Sequence, residues 1–167
     1  MKSIQKLVLF AGLGWILFSC SPASENTKAE DLNVVKNYVK AVESLDFDAM
    51  TNYLDESYLG LGPSYGDSIN KADAVESWKF NAENLYKGIE HTKAQFAFVT
   101  IPEGHAKGDW IATWSELKIT YKNEQSVMIW ANSNYQVSNG KIVKSITFYN
   151  EADALRQLGY EFWPIEE

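Results

Sequence analysis

A chain of 167 residues with 22 acidic against 15 basic side chains, net charge −7 and no run of Lys and Arg, repels nucleic acid and anionic lipid headgroups. That length suits one domain with a full core once a short leader is set aside. The single cysteine, Cys20, excludes an internal disulfide.

The first twenty residues read as a targeting segment. Lys2 and Lys6 precede the apolar run Leu7 to Phe18, which is short for a bilayer-spanning helix, and Ser19 and Cys20 follow. Leu17-Phe18-Ser19-Cys20 resembles the lipobox of bacterial lipoproteins. The resemblance implies that residues 1–19 are a signal peptide and that Cys20 carries diacylglycerol and N-acyl (palmitate-type) chains. Cys20 would then attach the protein to a membrane. Ser21 after the cysteine resembles lipoproteins sorted to the outer membrane. Ser21-Pro22-Ala23-Ser24 lacks the acidic cluster of surface-exported lipoproteins, so the expected place is the periplasmic side. Residues 20–30 are expected as lipidated cysteine and tether, and 31–167 as the folded domain.

Thr27-Lys28-Ala29-Glu30 reads as a capping box opening a helix, along which Leu32, Val35, Tyr38, Val39, Val42 and Leu45 recur at helical spacing. Asp46 interrupts, and Phe47, Met50, Tyr53 and Leu54 predict a second short helix. Tyr58 to Leu61 reads as a short extended piece and 62–66 as loop. Asn70 predicts the N-cap of a third helix carrying Val75, Trp78, Ala82 and Leu85. The period then switches to alternation. Strands are predicted over 89–101, 110–121, 126–137 and 141–149, the last two joined by the hairpin signal Asn139-Gly140. Residues 151–158 close the chain as a short helix stopped by Gly159. Helices first and strands later predict an α+β fold with helices on one face of an antiparallel sheet.

Three stretches resemble NTF2-like domains of the SnoaL-like branch: 41–50 as a helix–Asp–helix opening, 139–143 as the turn into the last long strand, and 149–159 as the tail. The resemblance covers about residues 31–159. It implies a cone, in which a curved antiparallel sheet wraps three N-terminal helices and leaves a cavity at the open end. The family includes isomerases, dehydratases, epoxide hydrolases, polyketide cyclases and non-catalytic binding modules, so the cavity residues must decide.

Isomerase-like sites need a carboxylate on the first short strand, and Tyr58-Leu59-Gly60-Leu61-Gly62 has none. Epoxide hydrolase-like sites need an Asp-Arg-Asp arrangement, and the sole arginine, Arg156, lies in the last helix. Dehydratase-like sites want a histidine with a carboxylate, and His91 and His105 are available. Glu116 is the candidate general base, with Tyr38 or His91 as proton donor. Each has a structural alternative: Glu116 as a solvated residue on the outer face, Tyr38 as a core residue with a wet tip, and His91 as a strand-end surface residue. Trp78, Trp114, Ser133 and Tyr135 are candidate cavity-lining residues, with core packing as the alternative for Trp114. Asn132 and Asn134 join Ser133 in a polar patch. Gly62-Pro63-Ser64-Tyr65-Gly66 matches G-x-S-x-G literally, but no helix follows it directly and no βα alternation surrounds it, so Ser64 is not read as a nucleophile. No metal site and no cofactor is expected from this residue set.

These residues support a main expectation of a lipid-anchored, non-catalytic domain that binds a small apolar molecule or a protein partner. If Ile129, Ala131, Ser133 and Tyr135 face the cavity, Met128 and Trp130 are exposed on the outer sheet face, where NTF2-like relatives commonly dimerise. The alternative is an isomerase, dehydratase or cyclase acting on a small molecule. A third possibility is a purely structural cone packed shut by Trp78, Trp114 and Tyr135.

Overall fold

The structure is a computed structural model that describes residues 25–163. The expected signal peptide, Cys20 and the first residues of the expected tether lie outside the described residues. The chain runs α1 (Glu25–Glu43), α2 (Phe47–Tyr53), β1 (Leu54–Leu61), β2 (Ser68–Asn70), α3 (Lys71–Asn84), β3 (Tyr86–Ile101), β4 (Gly108–Tyr121), β5 (Ser126–Ser138), β6 (Lys141–Tyr149) and α4 (Glu151–Gln157). This is the expected α+β architecture. Two features go beyond the expectation. The sheet has six strands in the order β2-β1-β6-β5-β4-β3, and β1 runs parallel to β6 while every other pair is antiparallel.

Local chemistry sets the boundaries. Asp46 caps α2 by accepting the Ala49 N–H at 2.9 Å, and Asn70 caps α3 by accepting the Asp73 N–H at 3.0 Å. Asn139 (φ 51°) and Gly140 (φ 73°) form the tight turn between β5 and β6. α4 ends in two characteristic bonds, Gly159 N–H to Arg156 O and Tyr160 N–H to Leu155 O, with Gly159 at φ 92°. The capping-box expectation is corrected: α1 runs from Glu25 to Glu43, so Thr27 lies inside the helix.

α1 ends in the same pattern of bonds, Leu45 N–H to Val42 O and Asp46 N–H to Ala41 O, but with Leu45 in the left-handed position at φ 53°. A leucine there costs roughly 1 kcal/mol relative to glycine. The turn of Ser44, Leu45 and Asp46 joins Glu43 to the start of α2.

The core lies between α1 and the inner face of the sheet. Val35, Ile111 and Ile142 are fully buried there, with Tyr38, Val42, Met50, Leu54 and Ile89 packed around them. Each such side chain contributes about 1.5–3 kcal/mol through burial. Bulges on β3, between Thr92 and Gln95, and on β6, where the extra residue Val143 falls opposite Gln136 and Val137, bend the strands and help curl the sheet around α1. The packing does not run the whole length of the cone, and the unfilled end is the site.

Candidate functional site

The open end of the cone holds a cavity of about 500 Å³. Its aliphatic wall comes from alternate residues of the long strands: Ile89 on β3, Leu117 and Ile119 on β4, and Ile129 on β5. Alternation explains the choice, since every second residue of a strand faces the same side. α1 contributes Tyr38, Val39 and Val42, α3 contributes Trp78, and α4 closes one side with Ala154, Leu155 and Leu158.

A group of neutral hydroxyls lies within this apolar wall. The Tyr58 hydroxyl and Ser145 Oγ are 2.7 Å apart, and Ser133 Oγ and Thr147 Oγ1 are 3.0 Å apart. Tyr135 lies beside them, and its ring meets that of Tyr38 edge-on with centroids 5.8 Å apart. Burial pushes the Tyr135 hydroxyl up to about 12, with Ser133 pulling partly back. Burial also pushes Tyr38 well above the ordinary phenol value, and its neighbours Tyr135 and Tyr58 add to the shift. Tyr58 is raised by burial as well. All three are therefore neutral hydroxyls at physiological pH, suited to donate a hydrogen bond and unsuited to act as bases. Nearer the mouth, Tyr86 and Tyr121 make another edge-on pair at 5.7 Å, and burial raises Tyr86 to about 12.

Among the described residues of the wall, the titratable groups other than tyrosines are His91 and Glu151. His91 projects inward from β3, and its side chain is 17% exposed. Glu43, the last residue of α1, stands behind it. One Glu43 oxygen accepts the His91 backbone N–H at 2.8 Å and lies 3.4 Å from the ring Nδ1. Nδ1 itself is buried and forms no hydrogen bond, so the carboxylate is near but not aligned with it. Desolvation by burial lowers the His91 pKa, and the Glu43 carboxylate opposes that shift only in part. A neutral imidazole in an apolar wall, with Nδ1 turned toward a carboxylate, leaves Nε2 as the nitrogen that can take a proton.

The predicted residues divide between two faces. Tyr38, Trp78, Ser133, Tyr135 and His91 lie on the cavity wall. Glu116 does not: its side chain is on the outer face, ion-paired to Lys93 at 2.6 Å, and that lysine holds its carboxyl below the usual range. Glu116 as the cavity base is thereby corrected. Trp114 is corrected with it, because it shares the Glu116 face and is 44% exposed. Asn132 also turns away from the cavity, donating to the Thr113 carbonyl at 2.8 Å and accepting from Asn134 at 2.7 Å. A cone packed shut by Trp78, Trp114 and Tyr135 is not found. Met128 and Trp130 are exposed on the outer face, as the alternation of β5 requires once Ile129 faces inward.

Glu43 was missed in the sequence because 48 residues separate it from His91. One signal was available. A carboxylate at the last residue of a helix opposes the macrodipole, so its place there asks for a compensating partner. No group of three or more His, Cys, Asp or Glu converges among the described residues.

No protein-family model matches the chain. No curated protein matches it either. Solved structures do. A protein of Xanthomonas campestris described as a candidate polyketide cyclase aligns over 78% of this chain and 98% of its own, with TM-score 0.65 and 15% identity. An LEH-like epoxide hydrolase of M. tuberculosis aligns over 78% and 90%, with TM-score 0.60 and 15% identity. A protein of Shewanella denitrificans described as a candidate SnoaL-like polyketide cyclase aligns over 77% and 96%, with TM-score 0.57 and 11% identity. At these identities the likeness is one of fold, and the fold is the NTF2-like, SnoaL-like cone.

Proposed function

We propose that this protein is a small-molecule isomerase, dehydratase or cyclase that works by proton transfer, with His91 as base and Glu43 as its positioning residue. The observation that carries the reading is the partly buried, neutral imidazole of His91, its Nδ1 shielded from solvent, on the wall of a 500 Å³ apolar cavity with the Glu43 carboxylate behind it. Three solved neighbours of the same fold carrying enzyme names support it. The step is simple to balance. His91 Nε2 takes a proton from the carbon beside a carbonyl, the C–H electron pair moves into an enolate, and the enolate oxygen accepts a hydrogen bond from a neutral tyrosine hydroxyl of the Tyr58–Tyr135 group. The same proton returns to another carbon, or is lost with a leaving hydroxyl. The cavity volume and the neutral lining suit an uncharged, mostly apolar carbonyl compound.

The test is hydrogen–deuterium exchange at the α-carbon of a panel of uncharged cyclic ketones in D₂O, read by NMR. The wild-type chain is expected to accelerate exchange of at least one ketone, and His91→Gln to return it to background. Equal rates in the two proteins would sink the reading.

A second reading is non-catalytic binding of an apolar ligand. It is favoured by the absence of any carboxylate among the cavity's hydroxyl group in the described residues. Native mass spectrometry that finds a co-purified molecule, together with a flat exchange assay, would select it.

Two proposals concern the surroundings of the site. The first is that Cys20 is lipidated and holds the protein at the outer membrane, facing the periplasm. Its support is the n-region, apolar run and lipobox-like 17–20. Mass spectrometry of the N-terminal peptide should show the acylated cysteine, and an unmodified Cys20 with residues 1–19 still attached would contradict it. The second is homodimerisation through the outer sheet face, where Trp114, Met128, Trp130 and Phe148 are 44%, 45%, 66% and 54% exposed. Light scattering should give twice the chain mass, and a monomer at high concentration would remove this proposal.

A further inference from the structure

Among the described residues, α4 is the one helix that borders the cavity without a buried residue of its own. Ala154, Leu155 and Leu158 form part of the cavity wall, yet the helix is only seven residues long and each of them is only partly covered. Something other than core packing must hold it there.

Side-chain hydrogen bonds supply the hold. Gln157 Oε1 accepts the Met128 N–H at 2.9 Å, and Gln157 Nε2 donates to the Met128 carbonyl at 2.8 Å. Met128 pairs with Lys118 of β4 on one side. In an antiparallel ladder both backbone groups of a residue point to the same side, and here they point away from β4. A strand should meet them. β6 cannot, because its pairing with β5 ends at Tyr149 opposite Ala131, and the chain leaves the sheet at Asn150 to begin α4. The primary amide of Gln157 has the donor and acceptor of a peptide group, and it takes the place of the missing strand residue. Gln157 Nε2 is also 3.1 Å from Asp153 Oδ2, which fixes the amide in this orientation.

We propose that α4 is a gate over the cavity and that Gln157 is its latch, so that opening of the Gln157–Met128 pair admits and releases the ligand. The hinges lie at the two ends of the helix. At one end Asn150 caps by accepting the Asp153 N–H at 3.0 Å, and at the other Gly159 turns the chain at φ 92°. Released from the latch, the helix stays capped and can swing as a unit, carrying Leu155 and Leu158 off the wall. Met128 lies on the exposed rim of the strand, so its freed N–H and C=O meet water, which keeps opening accessible. The proposal rests on the cavity being the ligand site, and not on the proton transfer assigned to His91.

The test reads opening without any ligand. Ser145→Cys places a thiol on the cavity wall at a position 6% exposed. Its reaction with N-ethylmaleimide is followed in the full chain, in detergent, by peptide mass spectrometry, which separates this site from Cys20. Adding Gln157→Leu is expected to speed labelling about tenfold, the scale set by losing two hydrogen bonds. Gln157→Glu keeps an acceptor for the Met128 N–H but turns an oxygen toward both the Met128 carbonyl and the Asp153 carboxylate, and is expected to speed labelling as well. Hydrogen exchange of the Met128 amide should rise in both variants. Unchanged labelling overturns the gate. A Gln157→Leu chain that fails to fold also overturns it, because Gln157 would then be holding the domain rather than a movable helix. A gate that opens in a chain without ketone exchange overturns the catalytic reading alone.

Discussion

Glu43 holds His91 by the backbone and faces its ring: one carboxylate oxygen accepts the His91 N–H at 2.8 Å and stands 3.4 Å from Nδ1. The contact joins the end of α1 to the middle of β3, at the point where the core gives way to the cavity. It places a carboxylate that opposes the helix macrodipole beside the imidazole of the wall.

The first prediction concerns the charge of that imidazole. Burial lowers the His91 pKa below the ordinary imidazole value of about 6.5, and Glu43 raises it in part. Glu43→Gln removes the opposing charge, so the His91 pKa should fall further. An NMR titration of the ring protons checks this, and a higher pKa in the variant would contradict it.

Stability should follow the same group. The folded state binds the proton less tightly than the unfolded state, so the contribution of neutral His91 is present above about pH 6.5 and is lost as pH falls through the folded pKa. Urea midpoints should drop between pH 7 and pH 5 in the wild type. They should drop less in His91→Gln.

The hydroxyl pair in the cavity makes a separate prediction. Tyr58 and Ser145 are both buried and bonded to each other at 2.7 Å. Ser145→Ala strands the Tyr58 hydroxyl and should cost about 1–2 kcal/mol, while Tyr58→Phe combined with Ser145→Ala should cost less than the two single changes added together. A double-mutant cycle by denaturant unfolding measures the coupling.

The apolar core should be far less tolerant. Ile142 is fully buried against α1 and the neighbouring strands. Ile142→Ala should destabilise by about 2–5 kcal/mol, with the exact cost set by how well the site collapses. At the cavity mouth, Gly62 has φ 88° and its missing Cβ would run into the Thr147 carbonyl oxygen. Gly62→Ala should therefore destabilise as well, and it should perturb the mouth in ¹⁵N spectra before the core.

Much of the fold is legible in the sequence because its signals are local. Asp46, Asn70, Asn139-Gly140 and Gly159 each mark a boundary within a few residues of the contact that makes it. The capping box at Thr27 misled because α1 continues upstream to Glu25. The strand faces are harder. Alternation puts Trp114 and Glu116 on one side of β4 but does not say which side is inward. Lys118, two residues on, was the available signal: a face carrying Glu116 and Lys118 suits solvent, while Leu117 and Ile119 suit the cavity. The pairs that make the site and its closure were out of reach. Glu43 and His91 are 48 residues apart, and Gln157 and Met128 are 29 apart, so only the fold brings them together.

The central claim is that His91 moves a proton inside the cavity, and the pH dependence of α-carbon exchange tests it most directly. Exchange should rise as His91 loses its proton and level off above its pKa, with a midpoint equal to the value from NMR and lower in Glu43→Gln. A midpoint that ignores Glu43→Gln, or exchange that survives in His91→Gln, would contradict the account.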